Sequence, residues 1–289
     1  YFFLQSSIPL FRFDISRIIL YDMFIRKENI GMFFDFDGTL WFGRYGEETL
    51  KELRRLAEKG IMLFLNTGRA TGNLPQKEIA QIPFTALFCG GCVAVQNGEF
   101  LFRRDLTEEE IALAVEVTER FGLDTVYEGV KRNYLQSLCR DSFINGKKLG
   151  MAGAEFVEGK DMLDRTERPV SKLSVLKRFN GSGNAIPFPP EAKEILSRYF
   201  DVIDFPAYTE CLVHGFGKDR MIRFAEERFR IPHENTYAFG DSFNDSPMLR
   251  YAAHSVAIGH APQGVKDLVD FVTTEEENGV AQAIRSFGL

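Results

Sequence analysis

An apolar run that ends in two closely spaced aspartates constrains this chain more than any other feature of its sequence. Met32-Phe33-Phe34 is short and aromatic, which favours a buried β-strand, and it runs directly into Asp35-Phe36-Asp37-Gly38-Thr39-Leu40. Because the Gly-Thr pair breaks the strand pattern, both carboxylates are expected at the carboxyl end of the strand, where open α/β sheets bind ligands. Strand alternation points Asp35 and Asp37 to the same side.

The spacing of the two aspartates brings like charges together, and a divalent metal ion is the usual counter-charge. A carboxylate beside Mg²⁺, with a second carboxylate two residues further on, can serve as a nucleophile with an acid/base partner. For the Asp-Gly dipeptide alone, an ordinary turn after a core strand is the common alternative. The complete string should occur by chance in only about one in 10⁴ chains of this length, so we interpret it as a functional site.

The overall composition limits the classes of fold and partner. The chain has 289 residues, of which 45% are hydrophobic and 26% charged, enough for one large globular domain or two moderate ones. The net charge of −6 shows no basic excess, so we expect no nucleic-acid partner. Cys89-Gly90-Gly91-Cys92 has the spacing of a redox or metal pair, but no second pair completes a zinc site. We expect inert, buried thiols in a cytoplasmic protein.

The first thirty residues differ from the rest of the chain. Residues 2–24 are apolar in patches, but charged residues interrupt them and no unbroken run of about 18 apolar residues occurs. We therefore predict neither a signal peptide nor a membrane span, and no membrane partner. Residues 1–30 are predicted to be an N-terminal extension outside the core, and a chain that begins at Met32 is expected to fold and work. The sequence carries no signal of an oligomeric state.

Strands and helices alternate in the first part of the chain. The strand before Asp35 is followed by a predicted helix at 47–59 and a buried strand at 61–65. A helix at 72–80, interrupted early by Pro75, and a third strand at 84–88 come next. This order implies parallel strands with helices on both faces. We therefore predict a Rossmann-like parallel-sheet core of the α/β class.

The rhythm changes after the third strand. Asn97-Gly98 between two short apolar runs predicts a hairpin, and Thr107 with Glu110 predicts a capping box before a helix that ends at Phe121. The following segment is predicted to contain a helix at 191–199 and strands at 124–127, 133–138, 170–179 and 202–205. The alternation of strands and helices then resumes, with a strand at 210–214 and a helix from Lys218. We predict a first core part at 31–104, an inserted α+β cap at 105–206 and a second core part at 207–289.

A second acidic string ends another predicted strand. Residues 236–239 are expected to form a strand that leads into Gly240-Asp241-Ser242-Phe243-Asn244-Asp245. Two carboxylates and an amide within five residues offer oxygen ligands that suit Mg²⁺. A capped helix start, with Asp245 favouring the helix dipole, is the alternative interpretation.

Two further places in the chain suit a phosphate group. Thr67 and Gly68 follow the second strand, where a hydroxyl and a backbone N–H before a helix start can bind a phosphate oxygen, although Thr-Gly is more often only a cap. Lys218 opens a helix after Gly215-Phe216-Gly217, and an anionic site would explain a lysine at a helix N-terminus. A solvated lysine is the alternative. Lys172 is the rival cation, but it lies in mid-strand within the predicted cap and we rank it lower.

Taken in order, the Asp35–Asp37 string, Thr67, Lys218 and the Asp241–Asp245 string resemble the motifs of the haloacid dehalogenase superfamily. Within the superfamily the chain is similar to the Cof-type phosphatase branch, whose α/β cap enters after the third core strand. The resemblance covers nearly all of residues 32–289 and implies a Mg²⁺-dependent phosphatase that hydrolyses a small phosphorylated metabolite, with a sugar phosphate favoured, through an aspartyl-phosphate. A phosphomutase with the same intermediate and a non-hydrolytic phosphate-binding regulatory module are the alternatives.

The resemblance also implies which residues act on the metal and the proton. Asp35 is the nucleophile and ligates Mg²⁺. Asp37 protonates the leaving oxygen, then activates water, and gives the metal its backbone carbonyl. Asp241 ligates the metal, and Asp245 supports it through water.

The phosphoryl contacts follow from the same resemblance. Thr67, Gly68 and Lys218 hold the transferring phosphoryl group, and Asn244 contacts the phosphate or steadies Lys218. The chemistry agrees with these roles, because phosphoryl transfer depends mostly on positioning and charge neutralisation, which Mg²⁺ and Lys218 supply.

The chain departs from the branch at three positions near the motifs. Cys89 stands where the branch has Asn, and His260 also stands in place of an Asn. Asp219 replaces a small residue after the motif lysine and could pair with Lys218. Specificity is expected in the cap, where four polar or aromatic residues are candidates to contact the substrate, although we interpret each of them as solvated surface: Arg132, Lys172, Glu128 and Tyr134.

Overall fold

The computed structural model describes residues 29–136, 155–157 and 169–289. The first part of the chain contains β1 (Gly31–Phe34), α1 (Glu47–Glu58), β2 (Met62–Thr67), α2 (Gln76–Ile79), β3 (Ala86–Cys89), β4 (Val93–Gln96) and β5 (Glu99–Arg103). The middle part contains α3 (Glu108–Phe121), β6 (Asp124–Gly129), β7 (Asn133–Gln136), β8 (Glu155–Val157), β9 (Val170–Leu176), α4 (Pro190–Leu196), β10 (Phe200–Asp204) and β11 (Tyr208–Val213). The last part contains α5 (Lys218–Phe229), β12 (Thr236–Gly240), α6 (Ser246–Tyr251), β13 (His254–Ala257), α7 (Gln263–Lys266), β14 (Phe271–Val272) and α8 (Gly279–Ser286).

The larger of two sheets has eight strands in the order β14-β13-β12-β1-β2-β3-β4-β5. It is parallel from β14 to β3, and the hairpin β3-β4-β5 is antiparallel. The chain leaves β1 toward β2 on one side and later returns as β12 on the other. The carboxyl ends of β1 and β12 therefore form a topological switch point, the place where open sheets of this kind bind ligands. The predicted α/β parallel-sheet core is confirmed.

The central strand β1 is buried on both faces because its residues alternate between two apolar layers. On the face covered by α1 and α8, Phe34 stacks on Phe239 with ring centroids 4.7 Å apart. On the face covered by α5 and α6, Phe33 stacks on Phe64 at 4.8 Å. Such aromatic pairs contribute about 0.5–1.5 kcal/mol each beyond their buried area. Helices thus cover both faces of the sheet, as the alternation of strands and helices predicted.

The second sheet has six strands in the order β10-β11-β9-β6-β7-β8 and is antiparallel except at β7-β8. Its apolar face packs against α3 and α4 through buried residues such as Tyr127 and Leu173. The predicted capping box of Thr107 and Glu110 opens α3, and Gly122 ends it in the left-handed conformation. The opposite face lines a cavity together with the strand ends of the larger sheet.

One strand joins a different sheet from the one that its place in the sequence predicted. We expected the chain to return to the core at residue 207, with a core strand at 210–214. Instead, β11 pairs antiparallel with β9 and β10, so the chain leaves the second sheet only after Val213. A short β-rich segment fits either sheet by its own composition, and long-range pairing decides between them.

Local turn chemistry explains two further results. Asn97 and Gly98 adopt φ of 52° and 82°, as the type I′ turn of the predicted hairpin requires. The helix predicted at 72–80 is instead a 3₁₀ turn, Thr71–Asn73, followed by the single turn α2, because Pro75 stands between them.

Some predictions fall on residues that the structure does not describe. Residues 1–28, the end of the strand predicted at 133–138 and Cys139 lie outside the described ranges. Within those ranges, no helix combines the length and the apolar character that a membrane crossing requires.

Candidate active site

Three neighbouring strands bring the predicted site residues to one edge of the larger sheet. Asp35 directly follows β1, Asp241 follows β12 and Thr67 ends β2, and β1 pairs with both other strands. The Asp35 backbone N–H donates to Phe239 O at 3.0 Å, which extends the ladder by one residue and fixes the start of the loop. The site therefore lies at the switch point of the sheet.

The loop after Asp35 passes very close to Asp241. Gly38 has φ of +81°, and a Cβ built there would lie 2.6 Å from an Asp241 carboxylate oxygen. The next residue, Thr39, donates from its hydroxyl to Asp241 Oδ1 at 3.0 Å. The Gly-Thr pair that follows the aspartates thus supplies both the space and a hydrogen bond for the second acidic string.

Lys218 is the first residue of α5 and reaches into the centre of the site. Its Nζ donates to Asp35 Oδ1 at 2.6 Å and to Asp245 Oδ1 at 2.5 Å, and all three side chains are buried. The Asn66 amide donates to the Lys218 backbone carbonyl at 2.8 Å and so anchors the start of the helix. The prediction of Asp219 as a partner of this lysine does not appear in the structure, where Asp219 lies 3.9 Å from Arg223.

Asp245 is fully buried and uses both carboxylate oxygens within the protein. One accepts from Lys218, and the other accepts from the backbone N–H groups of Asp241 and Ser242 at 2.9 Å each. The residue therefore closes its own loop and orients the lysine. The backbone of Gly240 packs against it, since a Cβ there would lie 2.5 Å from Asp245 Cβ.

The acidic residues form a compact cluster of oxygen donors. Asp35, Asp241 and Asp245 each offer one ligand atom, and these atoms lie within 4.8 Å of one another. Burial raises the pKa of Asp35 well above 3.8, and the nearby Asp245 and Asp241 raise it further against the opposing effect of Lys218. Burial and Asp245 also raise the pKa of Asp241. Closely spaced carboxylates whose pKa values are raised in this way fit an oxygen-preferring divalent cation such as Mg²⁺, which would neutralise their charge.

Lys218 keeps its charge in this setting. Burial on its own would lower the pKa of the ammonium group, but Asp245 and Asp35 raise it above its ordinary value of 10.5. The lysine therefore supplies a permanent positive charge beside Asp35, where a transferring phosphoryl group would need one.

Asp37 lies apart from the acidic cluster. Its carboxylate accepts two hydrogen bonds from the Arg69 guanidinium, each 2.6 Å long, and its side chain is half-exposed. The Arg69 guanidinium also lies over the Phe36 ring, 5.4 Å from the centroid. Reasoning from the sequence did not assign this arginine a role.

A cavity of about 420 Å³ joins the two sheets at this point. The strand ends of the larger sheet contribute residues predicted for the site: Asp35, Asp37, Thr67, Gly68, Asp241 and Asn244. The second sheet contributes residues from β6, β9, β11 and the loop before β11: Glu128, Lys172, Ser174, Leu176, Phe205, Tyr208 and Glu210. Six of the predicted site residues therefore line one cavity with the predicted cap, and the buried Lys218 and Asp245 are not among its lining residues.

The prediction that the cap candidates are solvated surface is wrong for three of four residues. Glu128 and Lys172 are each only 4% exposed and line the cavity, and Tyr134 is buried as well, while Arg132 is exposed. Sequence reasoning also missed Glu210 and Tyr208. The available signal was in β9, where the polar residues Lys172 and Ser174 alternate with the apolar Leu173 and Val175.

The departures from the family pattern leave the acidic cluster intact. Cys89 and Cys92 are buried free thiols, and burial raises the pKa of each to about 12, so both are inert as predicted. His260 places its Nε2 3.3 Å from Asp241 Oδ2 and so packs beside the cluster.

Comparison with known proteins agrees with this fold. A family model described as haloacid dehalogenase-like hydrolase matches residues 32–284. The chain belongs to this family, and the resemblance read from the motifs is confirmed. It is 37% identical over 283 residues to the 5-amino-6-(5-phospho-D-ribitylamino)uracil phosphatase YwtE of Bacillus subtilis, covering 86% of this chain and 95% of the relative.

Further relatives extend the comparison. The phosphatase YwpJ of Bacillus subtilis is 28% identical over 296 residues, covering 87% of this chain and 97% of the relative. The enzyme class predicted from the motifs, a haloacid dehalogenase-like phosphatase, is confirmed.

Solved structures share the fold. A phosphatase of the same superfamily from Bacteroides thetaiotaomicron, BT1666, has a TM-score of 0.77 at 21% identity and covers 90% of this chain and 96% of its own. The subclass IIB sugar phosphatase BT4131 has a TM-score of 0.74 at 22% identity, and the match covers 90% of this chain and 99% of BT4131. The inserted cap of the Cof-type branch is thus part of the shared fold.

Proposed function

We propose that this protein is a Mg²⁺-dependent phosphatase that hydrolyses a small phosphorylated metabolite through an aspartyl-phosphate at Asp35. The observation that carries the proposal is the contact of Lys218 Nζ with Asp35 Oδ1 at 2.6 Å, because Asp35 lines a cavity together with the predicted phosphate-binding residues Thr67, Gly68 and Asn244. A nucleophilic carboxylate and a fixed cation lie where a phosphoryl group would have to bind both.

Phosphoryl transfer to Asp35 needs the negative charge of the group to be neutralised. Lys218 supplies one charge, and Asp245 holds its ammonium in place through the 2.5 Å contact. The Thr67 hydroxyl, the Gly68 backbone N–H and the Asn244 amide line the same cavity and can donate to the remaining phosphoryl oxygens. Asn244 lies near Gly68, since a Cβ built on that glycine would be 3.5 Å from its Nδ2.

Asp37 is the proposed acid/base group for the leaving oxygen and for the attacking water. It lies two residues after the nucleophile, lines the cavity and is bonded to Arg69 rather than to the acidic cluster. Because Arg69 holds the carboxylate away from Asp35, we expect Asp37 to exchange this contact for the substrate oxygen during the reaction.

Asp35 and Asp241 are the proposed side-chain ligands of Mg²⁺, with the Asp37 backbone carbonyl as a further ligand and Asp245 as outer support. The donor set fits, because the ligand atoms lie close together and are all carboxylate oxygens. The bound ion would neutralise charge on the phosphoryl oxygens.

A sugar phosphate is the favoured substrate. The structural neighbour BT4131 is described as a sugar phosphatase, and YwtE is named for a substrate whose phosphate is carried by a ribityl chain. Both substrates are phosphate esters of polyhydroxylated carbon chains.

We also propose that the second sheet acts as a cap that covers the substrate. The proposed domain division is a first core part at 31–104, the cap at 105–213 and a second core part at 214–289. We propose in addition that the protein works in the cytoplasm.

The test measures inorganic phosphate released from a panel of sugar phosphates, nucleotides and cofactor phosphates, with Mg²⁺ or with EDTA. We expect release only with Mg²⁺, and a loss of about 10³-fold or more in Asp35→Asn, because the variant lacks the nucleophilic oxygen. Glu191→Gln, on the outer side of the cap, is the matched control. Release that persists in Asp35→Asn would contradict the aspartyl-phosphate, and recovery of an isomer instead of phosphate would identify a mutase.

A further inference from the structure

One face of the second sheet is directed into the cavity, and its residues follow from strand register. In an antiparallel pair, side chains of directly opposed residues lie on the same face. Glu128 is opposite Lys172, and Ser174 is opposite Glu210. Leu176 pairs with Tyr208 on the same face. Because the other face packs on α3 and α4, the polar residues of this face are available to a molecule in the cavity.

The charges on this face do not balance. The Lys172 ammonium pairs with Glu210 and lies 3.5 Å from Glu128 Oε1, so one cation faces two carboxylates. Glu128 and Lys172 are each 4% exposed and Glu210 is 2% exposed. Little solvent screens such a buried set, so its net negative charge acts on whatever occupies the cavity.

Most hydrogen-bonding groups of the set are already used. Lys172 Nζ donates to the Gly68 backbone carbonyl at 2.7 Å as well as to Glu210. Glu128 accepts from Ser174 Oγ at 2.5 Å on one oxygen and from Asn73 Nδ2 at 3.0 Å on the other.

The cavity-facing side of the second sheet, here called the cap wall, carries two oxygens that have no hydrogen-bond partner within the described part of the chain. They are the second carboxylate oxygen of Glu210 and the hydroxyl of Tyr208. Both residues line the cavity. In contrast, both cations among its described lining residues, Lys172 and Arg69, are already bonded to carboxylates. The wall can therefore accept hydrogen bonds from a ligand, but it has no spare cation for an anionic group.

An apolar surface adjoins the open carboxylate oxygen. The rings of Phe205 and Tyr208 stack with centroids 4.9 Å apart, and Leu176 lies opposite Tyr208 in the register. All three line the cavity. This surface can cover the carbon skeleton of a ligand while Glu210 accepts from its hydroxyl or amino groups.

We propose that the cap wall selects the charge of the leaving group, accepting phosphate esters that carry hydroxyl or amino donors and rejecting those with a second anionic group. Glu210 is the specificity-determining residue, and Lys172 limits the excess charge to one unit. This inference rests on the proposed function, because it concerns the alcohol part of the same phosphate ester.

The experiment compares three six-carbon phosphate esters that differ in charge: glucose 6-phosphate, glucosamine 6-phosphate and 6-phosphogluconate. Open-chain glucitol 6-phosphate is the reference without the carboxylate for the open-chain 6-phosphogluconate. Their Kd values are measured by calorimetry on the full chain carrying Asp35→Asn, with Mg²⁺ present, so that binding is read without turnover. We expect 6-phosphogluconate to bind at least about tenfold more weakly than glucose 6-phosphate, and glucosamine 6-phosphate to bind at least as tightly.

The same measurement on Glu210→Gln in the Asp35→Asn background assigns the selection to one residue. This variant leaves Lys172 paired with Glu128, so the buried charges balance and the fold is expected to survive. The penalty on 6-phosphogluconate should fall by about tenfold, while glucose 6-phosphate changes by less than about threefold. Glu191→Gln, an exposed cap glutamate, should leave all three values unchanged.

Two results would overturn the inference. These are equal Kd values for the three compounds, or a penalty on 6-phosphogluconate that Glu210→Gln leaves intact. Phosphate release by the protein with native Asp35 is measured separately with the panel described above. If the protein with native Asp35 released no phosphate from any compound, the proposed function would be refuted. If it released phosphate but the three compounds bound with equal Kd values, only the charge selection would be refuted.

Discussion

Two buried lysines, one in the core and one in the cap, are each paired with two carboxylates, and both sets contribute lining residues to the same cavity. The pairs are Lys218 with Asp35 and Asp245 in the core, and Lys172 with Glu210 and Glu128 in the cap. The core set is assembled from the loop after β1, the start of α5 and the turn after β12. The cap set comes from three adjacent strands of one antiparallel sheet.

The two sets differ in what their carboxylates can still do. Asp35 keeps one carboxylate oxygen for a metal ion or a phosphoryl group. Its raised pKa shows that Lys218 alone does not offset burial and the nearby carboxylates. Glu128 has both oxygens occupied by Ser174 and Asn73. We therefore expect the open carboxylate of Asp35 to act in the reaction, and the cap set, in which Glu210 alone keeps an open oxygen, to act through its fixed charge on the ligand.

The largest expected effect is on stability, and it comes from the cap lysine. Lys172→Met leaves two buried glutamates without their cation, so we expect the free energy of unfolding to fall by about 3–5 kcal/mol. Urea unfolding followed by circular dichroism measures it. Lys193→Met, at an exposed position of α4, is the control and should stay within about 0.5 kcal/mol. A loss below about 1 kcal/mol in Lys172→Met would show that the glutamates do not depend on the lysine.

The core lysine should have its main effect on the reaction. Lys218→Met removes the cation beside the nucleophile, so we expect kcat to fall by about 10²–10³-fold with the best substrate of the panel. Steady-state phosphate release measures this change, and circular dichroism confirms that the variant is folded. Lys51→Met, on the exposed side of α1, is the matched control. If Lys172→Met lowered kcat as much as Lys218→Met while folded, the division between chemistry and selection would fail.

The open core set should also make metal-free stability depend on pH. Burial raises the pKa values of Asp35 and Asp241, so the folded state binds these protons more tightly than the unfolded state. Their contribution to the free energy of unfolding therefore falls as pH rises above the ordinary value of 3.8. Thermal melts in EDTA between about pH 4 and 7 should fall less steeply for Asp35→Asn than for the native sequence.

The control for this series is Asp267→Asn, which changes an exposed carboxylate directly after α7. Added Mg²⁺ should raise the Tm of the native sequence at neutral pH and raise that of Asp35→Asn by less, because the variant has lost one ligand. Identical slopes in EDTA for the native sequence and Asp35→Asn would contradict an unneutralised buried carboxylate at this position.

The smallest expected effect comes from the residue beside the core lysine. Asp219 lies 3.9 Å from Arg223 and does not contact the Lys218 ammonium. Asp219→Asn should therefore change stability by less than about 0.5 kcal/mol and kcat/KM by less than about twofold. A larger change in kcat/KM would show that the departure from the family pattern at this position matters for the reaction.

The core site was accessible to prediction because its residues are short-range features of the chain. Asp35 and Asp241 each end an apolar strand, and parallel strands bring their carboxyl ends to one edge of a sheet. Lys218 follows a glycine-containing loop at a helix start. These local patterns suggested the acidic edge and left a solvated Lys218 as the alternative; the resemblance to the family, carried by the order of the motifs, implied that the three residues act together.

The cap site was not accessible in the same way. Glu128, Lys172 and Glu210 lie in three strands whose pairing depends on register, and a slip of one residue would turn each side chain to the opposite face. The same long-range pairing moved β11 out of the predicted core. The partner of Asp37 was missed because an arginine side chain can reach in many directions, and only the folded loop fixes its contact.

The sequence by itself determined the α/β core, the edge of the sheet where the acidic strings meet and the family to which the chain belongs. It did so because strand ends, glycine turns and helix starts are encoded within a few neighbouring residues. The tertiary structure alone decided which cap residues enter the cavity and that their charges are buried out of balance. Burial and pairing between distant strands are properties of the whole fold, and no local pattern specifies them.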